Sequence, residues 1–170
     1  MDIWQTGKAA WAGWKASGPA AATMATRVGL VVMGYNTYRQ VKEELSPGAW
    51  PYDGAPCLVC THRPLQDPGV ETVSGPPEQW LPAWKERVQG DVWICGGASL
   101  AGQLMEQGLI DEYALTVCPV LLGEGVPLFG PGRPTALLDL TECRTENGMV
   151  LLRYVPRRTD GMEPAPQGAQ

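Results

Sequence analysis

The residues with the clearest chemical potential are Gly96, Gly97, Ala98, Ser99 and Leu100. They follow the apolar run DVWIC, residues 91–95, and open an amphipathic segment, so a strand hands over to a helix through two glycines. The start of a helix carries orphan backbone N–H groups and partial positive charge, which suits a phosphate or a pyrophosphate. Glycine lets such an anion reach the backbone where a Cβ would hold it off, and Ser99 can cap the helix or donate to the anion. The spacing is not G-x-G-x-x-G, and a tight connection would use the same two glycines, so the motif alone names no nucleotide.

Two further segments have the same form. Gly34, Tyr35, Asn36 and Thr37 follow the apolar run VGLVVM, residues 28–33, and Thr61, His62 and Arg63 close the run beginning at Cys57. The second set brings together a hydroxyl, the chain's only imidazole and a guanidinium, and a guanidinium grips a terminal phosphate through two parallel hydrogen bonds. Plainer readings stand beside these: Thr37 as a helix cap and His62 as a solvated loop residue.

Other pairs invite chemistry and lose it on geometry. Asp111-Glu112 could divide acid and base roles, yet neighbours at the start of a strand point to opposite faces. Cys57 and Cys60 match C-x-x-C, but three residues apart on a strand they also face opposite ways, and two packed core thiols are expected.

The elements that must position these residues are legible from periodicity. Strands are predicted at 28–33, 57–61, near 70–73 and at 91–95. Between them come a helix with Tyr38, Val41 and Leu45 on one face, a helix starting at Pro76-Pro77-Glu78, and a helix from about Ser99 to Gln107. A short helix is predicted over 18–27. Strand and helix in alternation imply a largely parallel sheet with crossover helices, whose carboxyl ends lie along one edge. The three polar segments would therefore converge on one extended ligand bearing several phosphates. The last third differs: extended runs at 112–121, 136–144 and 149–155, the final two joined by a turn at Glu146-Asn147-Gly148, predict antiparallel strands that finish the sheet. From Pro156 a polar, Pro- and Gly-rich tail to residue 170 is expected to be disordered, leaving one domain over 1–155.

Composition removes several classes of function. The 170 residues are 44% hydrophobic and 18% charged, with a net charge of −5, which describes a globular chain. No Lys/Arg cluster exceeds Arg157-Arg158, so neither nucleic acid nor an anionic membrane is an expected partner. No apolar run reaches the ~18 residues of a membrane span. The N-terminal residues have no apolar core of the secretory kind, and the odd count of five cysteines, mostly within apolar runs, points to a reducing cytoplasm.

Taken together, the segments MGYNTYRQV, VCTHRP, VWICGGASLAGQLMEQGLIDEYALTVCPVLLGEGVPLF and ECRTENGMVLLRYV resemble the dihydrofolate reductase superfamily, with the reductase domain of bacterial riboflavin biosynthesis as the nearest branch. The resemblance covers about residues 26–155. It implies an α/β fold of three layers, α/β/α, around a mixed, mainly parallel central sheet with a C-terminal antiparallel hairpin, and it implies NADPH as cofactor. Gly34, Tyr35, Asn36 and Thr37 would line the cofactor. Thr61, His62 and Arg63 would hold the adenosine ribose and its 2′-phosphate, and Gly96, Gly97, Ala98, Ser99 and Leu100 would cradle the pyrophosphate. In the family the Asp-Glu pair is structural, while the loop Gly123-Glu124-Gly125 lies toward the substrate side. A homodimer is plausible by the same comparison.

Two departures qualify the carry-over. Family members commonly place a basic residue after the glycine of the Met-Gly motif, and here Tyr35 stands there. The usual first strand, ending in a Ser-x-Asp-Gly type segment, has no counterpart before the Trp-rich start. The function implied is an NADPH-dependent oxidoreductase transferring hydride to a small heterocyclic, carbonyl or imine substrate, with no catalytic side chain assigned. The alternative is a nucleotide- or pterin-binding protein without turnover.

Overall fold

In the computed structural model, residues 27–157 are described, apart from Asp53, Val126 and 131–133. All but the last residue of the helix expected at 18–27, and the tail beyond Arg157, lie outside the described residues. Those described fall into two compact units. One runs to Leu109 and includes the segment beginning at Leu121; the other holds Ile110–Val120 and the chain from Pro134.

The first unit alternates strand and helix. Strand β1, Val28–Gly34, leads into helix α1, Tyr35–Gln40, which continues as a π-helical turn over Val41–Leu45. Strands β2, Cys57–Cys60, and β3, Glu71–Val73, precede helix α2, Pro77–Arg87; strand β4, Asp91–Gly96, precedes helix α3, Ala98–Glu106. The four strands pair in parallel in the order β3-β2-β1-β4. β1 is central because it can be buried on both faces: Leu30 to Met33 are at most 1% exposed, as an unbroken apolar run requires.

Where β1 meets β4 the pairing skips Gly29, and a Cβ there would fall 2.0 Å from the carbonyl oxygen of Gln89. Glycine is what lets those two backbones approach. On one face of the sheet Val31, Met33, Tyr38, Cys57 and Val59 form the core, covered by a chain of rings, Tyr38, Trp50, Tyr52 and Trp93, with successive centroids 5.8, 5.4 and 5.7 Å apart. Their offset and edge-on contacts are the arrangement aromatic quadrupoles favour. Proline at the first position of α2 follows the usual rule, since its missing N–H would be unbonded anyway.

The second unit is an antiparallel sheet, β5 (Tyr113–Val117), β6 (Leu138–Glu146) and β7 (Met149–Pro156), in the order β5-β7-β6. Asn147 and Gly148 join β6 to β7 with φ of 51° and 77°, the two left-handed residues that a tight hairpin needs. The run expected as a strand to residue 121 ends at Val117, ahead of Cys118-Pro119, where proline has no N–H for a ladder.

The molecule is thus an α/β protein with the expected mainly parallel sheet, helices and C-terminal antiparallel hairpin. Among the described residues the antiparallel strands make a three-stranded ladder of their own. No helix of the described residues is long and apolar enough to cross a membrane.

Candidate functional site

In the first unit a cleft of about 1020 Å³ lies along the carboxyl ends of the strands. Parallel pairing explains its position: each strand arrives at this edge and leaves it through a loop, so four connections meet there. The connection from β1 to α1 supplies Gly34, Tyr35, Asn36 and Thr37; the segment after β2 supplies Thr61 and His62; that from β4 to α3 supplies Gly97, Ala98, Ser99 and Leu100. The cleft therefore gathers the three segments singled out in the sequence. Arg63 and Gly96 adjoin it without lining it.

The two glycines at the end of β4 do different work. Gly96 packs on Thr37, whose side-chain atoms would stand 3.4 Å from an added Cβ. Gly97 has φ +99° and ψ 105°, a conformation that side-chain-bearing residues rarely adopt, and it turns the chain from strand into helix. An added Cβ at Gly97 would lie 3.8 Å from the backbone of Gly34, so the first and last loops abut. The N-terminus of α3 has no side-chain cap. Ser99, one of two roles for which was capping, instead accepts a hydrogen bond from Gln103 Nε2 at 3.3 Å. The first N–H groups of α3 thus have no side-chain acceptor at the cap, and a helix start carries partial positive charge. Thr37 is not a cap either, since Gly34 holds the N-cap position of α1 and no side-chain cap bond is made.

The segment after β2 is anchored at both ends. Arg63 N–H donates to Thr61 Oγ1 at 2.9 Å, and the Arg63 guanidinium carbon stands 4.8 Å over the Tyr35 ring. Further along, Asp67 Oδ2 accepts from Tyr38 Oη at 2.6 Å and from Lys42 Nζ at 2.5 Å, and Oδ1 accepts from Gly69 N–H at 3.1 Å. The Lys42 and Tyr38 hydrogen bonds hold the Asp67 carboxyl down at about 2. The same Asp67 bond raises Lys42, and burial, then Asp67, raises Tyr38.

Sequence reasoning missed the fourth loop. Ser74, Gly75 and Pro76, between β3 and α2, and Pro77 at the start of α2 also line the cleft, with Trp80 donating from Nε1 to the Gly75 carbonyl at 3.3 Å. The signal was present, because Val73-Ser74-Gly75 repeats the pattern of strand, polar residue and glycine. Cys60 was expected as a packed core thiol; Cys57 is, at 3% exposure, whereas Cys60 is half-buried at the end of β2 and lines the cleft. Burial pushes the Cys60 thiol up to about 11, so it is neutral in ordinary conditions.

The remaining candidates go elsewhere. Glu112 pairs with Arg153 of β7, which also meets Glu142 at 3.0 Å, so this half of the acidic pair is cross-strand structure. Glu124 sits exposed in a turn and does not line the cleft.

A family model described as the RibD C-terminal domain matches residues 6–152. The uncharacterized Bacillus subtilis protein YwjB is 35% identical over 130 residues, covering 75% of this chain and 74% of that protein. A putative riboflavin biosynthesis protein from Shewanella sp. PV-4 superposes with a TM-score of 0.73 at 26% identity, over 84% of this chain and 82% of the other. Dihydrofolate reductase from Enterococcus faecalis, complexed with NADP(H), shares the fold: TM-score 0.61 at 17% identity, covering 82% and 81%.

Proposed function

Because the chain belongs to the RibD C-terminal domain family, we propose that it is an NADPH-dependent reductase delivering hydride to a small heterocyclic, carbonyl or imine substrate. The observation that carries this reading is the convergence of the three glycine- and hydroxyl-bearing loops on one cleft, with the N-terminus of α3 free of any side-chain cap. The donor set fits the cofactor. Gly97 and the first turn of α3 offer backbone N–H groups to a pyrophosphate, Gly34 to Thr37 line the space beside them, and Arg63 offers a planar fork to a 2′-phosphate. A cleft of about 1020 Å³ is at the upper end of ordinary ligand sites, as a dinucleotide and a second small molecule would need.

When bound, the nicotinamide supplies the hydride, so no protein nucleophile is required. The chain's own residues bind and orient. His62 and the cleft carboxylate Glu44 are both exposed, and no described polar or charged residue is buried, so neither is assigned a proton-transfer role.

The test is a titration of the purified chain with NADPH and then NADH, followed by tryptophan fluorescence, which the seven tryptophans make sensitive. Saturable binding that favours NADPH, followed by its oxidation with one of a panel of pyrimidine, pterin and carbonyl acceptors, is the expected result. Binding without oxidation by any acceptor would favour a nucleotide-binding protein without turnover. Gly97→Val should lower NADPH affinity at least about 100-fold, since the substitution strains φ and sets branched carbons before the helix N–H groups. Unchanged affinity in that variant would remove the α3 terminus from the site.

A further inference from the structure

We propose that Tyr35 is a positioning residue for Arg63, its ring holding the guanidinium ready for the 2′-phosphate monoester of a bound nucleotide. This rests on the reading of the cleft as a nicotinamide-nucleotide site.

The argument begins with spacing. Tyr35, Tyr38 and Lys42 stand at i, i+3 and i+7, one stripe along α1 and its π-helical continuation. The stripe meets the segment after β2 at two points. Tyr38 and Lys42 converge on Asp67 Oδ2, and the Tyr35 ring lies under the Arg63 guanidinium at 4.8 Å. Between them, the Thr61 hydroxyl accepts from the Arg63 N–H and shapes the backbone that carries the guanidinium.

An arginine in this position is set up for an anion. It is exposed, and among the described residues no carboxylate pairs with it. Arg39, which does line the cleft, already has the Glu43 carboxylate at 3.6 Å. With its carbon 4.8 Å from the ring centroid the guanidinium is held against the ring, and a guanidinium so held keeps N–H donors for a phosphate, which it binds through two parallel bonds. Stacking also removes side-chain freedom before the ligand arrives, so less ordering is charged to binding. Tyr35 itself lines the cleft and is half-buried, so its ring has a wall behind it.

The experiment uses probes without nicotinamide, so that it reads the adenosine end alone. The full chain and its variants are titrated with adenosine 2′,5′-bisphosphate and with adenosine 5′-monophosphate, and melting temperatures are recorded in parallel. The wild-type chain should prefer the bisphosphate. Y35F keeps the ring and should keep that preference. Y35L should lose about fivefold more on the bisphosphate than on the monophosphate. R63K keeps charge but not the fork, and should lose at least as much. The double variant Y35L/R63A should be no weaker than R63A, because Tyr35 acts only through the guanidinium.

Additive losses in the double variant, or a Y35L chain with the wild-type preference, would overturn the role of Tyr35 while leaving the site intact. Failure of the folded wild-type chain to bind either probe would overturn the nucleotide reading and this inference with it. Should Y35L melt at too low a temperature to titrate, Y35F and R63K carry the test: an R63K chain that keeps the full preference overturns the proposal.

Discussion

The two units of this molecule use the same kinds of residue to different ends. In the parallel unit, β1 is sealed on both faces and its polar neighbours are displaced to the strand ends, where Thr61, His62, Ser99 and the glycines meet at a cleft. In the antiparallel unit no strand is buried throughout, and charged residues sit within the ladder itself: Arg153 of β7 between Glu142 of β6 and Glu112 beside β5. Leu140 and Val117 are more than half exposed there. A polar residue at the end of a parallel strand has backbone donors and open space before it, so it can take a ligand. The same residue within an antiparallel ladder meets a cross-strand partner first, so it becomes structure.

The sharpest way to break this contrast is at the glycines. In the parallel unit Gly29 is held by contact, its added Cβ falling 2.0 Å from the Gln89 carbonyl oxygen. In the antiparallel unit Gly148 has nothing within 4 Å of an added Cβ and is held only by its φ of 77°. Gly29→Ala should therefore cost about 3 kcal/mol or more, because backbone must move. Gly148→Ala should cost only about 1 kcal/mol, the conformational penalty alone. Urea titration of the two variants measures the difference, and equal costs would mean that the β1–β4 approach relaxes without strain.

A smaller effect is expected at the Asp67 clamp. Its carboxyl titrates at about 2, below its ordinary 3.8, so its contribution is fully present above about pH 4 and lost as the pH falls towards 2. Asp67→Asn should lower stability by about 1.5 kcal/mol near neutrality, where charged hydrogen bonds to Lys42 and Tyr38 are replaced by neutral ones. The gap between variant and wild type should close in acid. A gap that persists at about pH 2 would assign the effect to packing and not to charge.

Much of this was legible because parallel strands advertise themselves. The runs VGLVVM, CLVC and DVWIC are apolar without alternation, and each ends in a glycine or hydroxyl, so both the strands and the cleft residues after three of them could be read directly. The fourth loop was harder to see because β3 is only three residues long, with Glu71 and Thr72 exposed, and offers too little periodicity to mark its end. The role of Asp67 was not legible at all. Asp67-Pro68-Gly69 reads as a turn, which it is, with Val70 N–H donating to the Asp67 carbonyl at 3.2 Å. Its partners Tyr38 and Lys42 are separated from it by 29 and 25 residues, and a local pattern cannot show a bond of that range.

The smallest expected effect completes the contrast from the antiparallel side. Asp111-Glu112 is the chain's most catalytic-looking pair by residue type, yet Glu112 is a cross-strand partner of Arg153, and that arginine is only 18% exposed at its side chain. Glu112→Gln keeps shape and removes charge. Arg153 retains Glu142 at 3.0 Å, so no charge is stranded, and the cost should be at most about 1 kcal/mol, as for a half-exposed ion pair. The loss should shrink further at high salt, because partly exposed charges are screened. NADPH affinity and any reductase turnover should be unchanged within a factor of about two, since surface changes away from a site move stability by about 0.5 kcal/mol at most. A large fall in turnover at unchanged affinity would restore Glu112 to the chemistry and show that a carboxylate in a ladder can serve both purposes.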